Sequence, residues 1–69
     1  MSESTIKDCI QYFKNRDLIA HEDNGSVYLH VGYDIEVELS TAEVIFRADE
    51  YQNEKLWHEK KRLNATSMP

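Results

Sequence analysis

His21, His30 and Glu36 are the side chains whose types come nearest to a reactive or metal-binding set. Two imidazoles and a carboxylate supply the donors of a zinc or copper site. In the hairpin register derived below, His30 faces Glu36, and His21 lies on the same outer sheet face one strand away. A flat, solvated sheet lacks the enclosed geometry such sites need. The expectation is therefore a cross-strand charge pair, with no metal and no cofactor. Glu54 and His58 stand i, i+4 on a helix, half of a carboxylate–histidine site that nothing completes. Cys9 lies on an apolar helical stripe, where a free thiol behaves as a small buried hydrophobe.

Acid–base work by two carboxylates needs one of them in an apolar setting. Asp49 and Glu59 come closest, but so short a chain has little room for a pocket of roughly 300 Å³. Gly25 and Gly32 are both consumed by turns, which leaves no phosphate-cradling loop. The chain is expected not to be an enzyme.

Charge is the stronger signal. The net charge of −5 conceals −8 over residues 21–54 and +3 over residues 55–69. Asp34, Glu36 and Glu38 should point outward from the sheet, and Glu43, Glu50 and Glu54 should form an outer ridge on the second helix. Tyr28, and Tyr33 in a turn, would add anchoring contacts inside that field. The expected function is binding of a basic protein partner. Its most concrete form is inhibition of a DNA-binding protein by DNA mimicry, the carboxylates standing in for phosphates. Small phage- or plasmid-borne proteins directed at host factors share this profile of size and charge. The alternatives are a small nucleic-acid-binding regulator using Lys55, Lys60, Lys61 and Arg62 beside Trp57, or a structural assembly subunit. The acidic remainder of the surface argues against direct nucleic-acid binding.

These residues need elements to hold them. Ile6, Cys9, Ile10 and Phe13 recur at helical spacing over about residues 4–16, with Ser4 or Thr5 as the cap. Asn24-Gly25 between two strand-like runs predicts a type I′ hairpin, pairing Asp23 with Ser26, His21 with Tyr28, Ala20 with Leu29 and Leu18 with Val31. A three-residue loop at Gly32-Tyr33-Asp34 then pairs Val31 with Ile35, Leu29 with Val37 and Val27 with Leu39, all apolar on one face. Ser40 and Glu43 form a capping box for a second helix running to about Leu63. Its buried face is expected to hold Ile45, Ala48, Gln52, Leu56 and Leu63, with Val44 and Tyr51 on one flank and Phe46 and Trp57 on the other. The order α-β-β-β-α makes a two-layer α+β domain, a three-stranded antiparallel meander with two flanking helices over residues 1–63. Residues 64–69 are expected to be a disordered tail.

The chain has 69 residues and one cysteine, so an intrachain disulfide is excluded. Chains below roughly 70–80 residues seldom bury enough apolar surface alone. Self-association as a homodimer is the remedy expected, through Leu56, Trp57 and Leu63 at the overhanging end of the second helix. The apolar runs are too short for a membrane span or a signal-peptide core, which predicts a cytoplasmic chain.

Overall fold

Ser2 opens the first helix. Its Oγ accepts the Thr5 N–H at 3.2 Å, and its own backbone is extended (φ −73°, ψ 152°), as a capping residue requires. Glu3 stands in the first turn, where a carboxylate complements the helix dipole. The cap thus lies ahead of the expected Ser4 or Thr5. The three hydroxyls cluster, with Ser2 Oγ 2.7 Å from Thr5 Oγ1 and 3.3 Å from Ser4 Oγ. The helix, α1, covers Glu3–Lys14. It closes at Asp17, which takes the left-handed conformation (φ 61°). The Leu18 N–H returns to the Phe13 carbonyl and the Asp17 N–H to the Lys14 carbonyl, a Schellman arrangement built without glycine.

The structure, a computed structural model, describes residues 1–67, with side chains described as far as Glu59. Three strands follow α1: β1 (Ala20–Asp23), β2 (Ser26–Gly32) and β3 (Ile35–Glu38), antiparallel in the order β1-β2-β3. The first turn has positive φ at both Asn24 and Gly25, and its register pairs Ala20 with Leu29 and His21 with Tyr28, as expected. The second hairpin keeps Leu29 opposite Val37, and the Leu39 N–H reaches the Val27 carbonyl at 2.8 Å. At its tip the register shifts by one residue between His30 and Gly32, so Gly32, not Val31, lies opposite Ile35. This bulge reconciles a tight Tyr33-Asp34 turn, with Asp34 at φ 61°, with the apolar pairing farther down.

Ser40 caps the second helix, its Oγ accepting the Glu43 N–H at 3.1 Å. This helix, α2, covers Thr41–Ser67 and so continues past the expected end at Leu63. The stretch Asn64-Ala65-Thr66-Ser67 contains neither glycine nor proline to stop it. Met68 and Pro69, the remainder of the expected tail, lie outside the described residues. No helix among the described residues is long and apolar enough to cross a membrane.

The chain is an α+β domain of order α-β-β-β-α. Ile6, Cys9, Tyr12 and Phe13 from α1 meet Val27 from the sheet and Val44 from α2, with Ile10, Ala20, Leu29, Leu39 and Tyr51 around them. The buried face of α2 keeps the expected Ala48 but is turned toward the flank of Val44 and Tyr51, away from Ile45. Val44 is 1% exposed and Ile45 44%. Val44 follows the corner at Leu39 and Ser40 and enters the core with Val27; helical periodicity then carries the contact to Ala48 and Tyr51. Because α2 lies along α1, the far end of the apolar sheet face stays open, and Val31, Ile35 and Val37 are exposed.

Candidate functional site

The outer face of the sheet presents the side chains that alternate away from the core. Asp23 and Glu38 stand toward the first turn, Tyr28 beside them, then His21, His30 and Glu36; Tyr33 and Asp34 form the second turn. His30 and Glu36 are direct cross-strand partners, with Nε2 3.2 Å from Oε1. His21 completes a triangle: its Nδ1 is 3.3 Å from His30 Nε2, and its Nε2 is 3.8 Å from Glu36 Oε2. The Tyr28 ring stacks on His21 at 5.6 Å between centroids and 21° between planes. The diagonal that the sequence left too open for shared contact is short because sheet twist brings the two rings to 5.3 Å.

Among the described residues, Asp23, Asp34 and Glu38 have no ion-pair partner, and Tyr33 is 95% exposed. The expected acidic ridge on α2 is a different structure. Glu43, Glu50 and Glu54 are half-buried beside α1 rather than outward. Glu43 accepts from Arg47 Nε at 3.1 Å, and Glu54 pairs with Arg16. The rotation that buries Val44 and Ala48 moves this row to the edge of the helix–helix contact. There Glu54 meets Arg16, just past the end of α1, and Glu43 meets Arg47 one turn along α2.

Tyr12 is the centre of that seam. The Arg16 guanidinium stacks 3.7 Å from its ring centroid, and Arg47 Nη1 donates to its hydroxyl at 2.9 Å. Gln52 Nε2 donates to Asp8 Oδ2 at 2.7 Å on the other flank. Two open grooves border these elements. One of about 540 Å³ lies over Arg16, Glu54, Lys55 and His58, and one of about 350 Å³ lies over Val27, Leu39, Ser40 and Val44. Both exceed the roughly 300 Å³ for which so short a chain was expected to have little room, and both are open to solvent rather than enclosed.

Cys9 is 0% exposed, and burial, with a smaller contribution from Glu43, pushes its thiol up to about 11. This is a core residue, not a nucleophile poised at neutral pH. Leu56 and Trp57 are 62% and 58% exposed on α2, with the Trp57 ring edge-on to His58. The side chains of Leu63, Lys60, Lys61 and Arg62 lie outside the described residues. No family model, curated protein or solved structure matches this chain.

Proposed function

We propose that the chain is a non-enzymatic binding protein that offers the outer face of its sheet to a basic protein partner. The observation behind this reading is the set of carboxylates at Asp23, Asp34 and Glu38, without counter-ions among the described residues and flanking the aromatic rings of Tyr28 and Tyr33. Unpaired charge accelerates encounter with an opposite surface, and tyrosines supply rigid contact area once the partner has docked. The carboxylates on α2 contribute less, because Glu43 and Glu54 are neutralised by arginines of the chain itself. In its concrete form the partner is a DNA-binding protein whose phosphate-binding surface the sheet occupies, as a host-directed phage or plasmid protein would do.

The binding form is a homodimer joined through the distal part of α2. Twenty-seven helical residues span about 40 Å, against about 18 Å for the twelve of α1. Leu56 is 62% exposed on the distal part of this helix, and a symmetry mate laid along it would cover that side chain.

The test is retention of proteins from a bacterial lysate on the immobilised chain, with elution by salt. Basic, nucleic-acid-binding proteins should be retained, displaced by added duplex DNA, and lost with an Asp34→Asn, Glu38→Gln variant. Retention of acidic proteins only, or retention indifferent to that variant, would defeat the proposal. Direct DNA binding by the chain alone in a shift assay would favour the nucleic-acid-binding regulator instead.

A further inference from the structure

We infer that His21, His30 and Glu36 form a binding site for one divalent transition-metal ion of the zinc class on the outer sheet face. One donor atom from each residue can be chosen so that all lie within 4.8 Å of one another. Two of the separations, 3.2 and 3.3 Å, match the edge of a zinc tetrahedron, since ligands about 2.0–2.1 Å from the ion stand about 3.3 Å apart. Three strands contribute one donor each, so the spacing is held by the sheet ladder rather than by a loop. Stacking on Tyr28 fixes the plane of the His21 ring.

Within the cluster one ring nitrogen is shared between two neighbours. His30 Nε2 lies within reach of both His21 Nδ1 and Glu36 Oε1, yet a neutral ring nitrogen has at most one proton to give. His21 Nε2 is 3.8 Å from Glu36, beyond hydrogen-bond range. A cation at the centre would take a lone pair from each of the three groups. Two imidazoles and one carboxylate are borderline donors that select zinc-like ions over magnesium or calcium, which prefer all-oxygen shells. The three side chains are partly exposed. The remaining coordination position therefore faces solvent and is open to water or to a donor from a bound partner. With neutral imidazoles the filled site has a charge of about +1, placed between the acidic ends of the sheet face.

The experiment uses the 69-residue chain and zinc sulfate, without any binding partner, so its result is independent of the function proposed above. Titration should reach one zinc per chain, shift the ring resonances of His21 and His30 in histidine NMR spectra, and leave those of His58 unmoved. Glu36→Gln, which preserves shape on an exposed position, should weaken binding at least tenfold, the scale on which such sites lose affinity even for an outer-shell change. His58→Gln should not weaken it, and magnesium at the same concentration should produce no shift. Four outcomes overturn the inference: no saturable binding, equal shifts with magnesium, shifts centred on His58, or half an equivalent of zinc with a cross-linked dimer. The ring shifts are read on the unaltered protein, so the conclusion stands even if a variant fails to fold.

Discussion

Arg47 reaches across the helix–helix seam to donate a hydrogen bond to the Tyr12 hydroxyl at 2.9 Å. Tyr12 itself is buried, with Phe13 edge-on at 5.2 Å and the Arg16 guanidinium over its face. The ring supplies apolar contact, and its hydroxyl supplies the point at which α2 is pinned. Tyr12→Phe keeps the ring and removes the pin. It should lower the stability to urea by about 1 kcal/mol, with the slope of the transition unchanged. No loss would show that the hydroxyl exchanges freely with water.

The orientation of α2 makes a second expectation. Val44 is fully packed between α1 and the sheet, whereas its neighbour Ile45 is 44% exposed. Val44→Ala should cost about 2 kcal/mol, and Ile45→Ala should stay below about 1 kcal/mol although it removes more carbon. Chemical denaturation of the two variants decides the matter, and the reverse order would mean that the helix is turned toward the face its sequence first suggests.

Cys9 gives the alkaline limb of the stability profile. Its thiol is raised from 9.0 to about 11 by desolvation first and Glu43 second, with Arg47 acting the other way. Below pH 9 the thiol is neutral in folded and unfolded chains alike, and the contribution is fully present. Between pH 9 and 11 the unfolded chain ionises first, so stability should fall by about 1.4 kcal/mol per pH unit. Subtracting the profile of Cys9→Ala from that of the unaltered chain isolates this slope. A thiol reagent at pH 8 should react only at the rate of unfolding.

Association is checked by sedimentation equilibrium at micromolar concentrations. The apparent mass should rise above 8.1 kDa with concentration, Leu56→Asp should return it to that value, and Glu36→Gln on the outer sheet face should leave it unchanged. A single 8.1 kDa species throughout would exclude the homodimer.

The hairpins were legible because their signals are local. Asn24-Gly25 dictates a turn, and strict alternation fixes the register on either side of it. Ser40 three residues before Glu43 gave the start of α2 for the same reason. The face that α2 buries was legible only to within one flank: Ala48 was placed on it, and Val44 and Tyr51 at its edge. Val44, Ile45 and Phe46 are consecutive apolar residues covering more than half a turn, so several stripes fit the sequence equally well. The choice among them is made by a tertiary partner, Val27 across the corner, and it carries Glu43, Arg47 and Glu54 with it. The His21–His30–Glu36 cluster was half visible. Pairing placed His30 opposite Glu36, but the approach of His21 depends on twist, which no residue type encodes by itself.

The contacts that lock α1 to α2 join residues far apart along the chain: Tyr12 with Arg47 across 35 positions, Arg16 with Glu54 across 38, and Asp8 with Gln52 across 44. During synthesis, the amino-terminal helix leaves the ribosome with its apolar stripe uncovered and must wait until most of the chain has followed. The two hairpins, closed by neighbours, can form within microseconds. Joining the helices closes loops of 35 to 44 residues, an entropy cost that should make this step slower than hairpin formation.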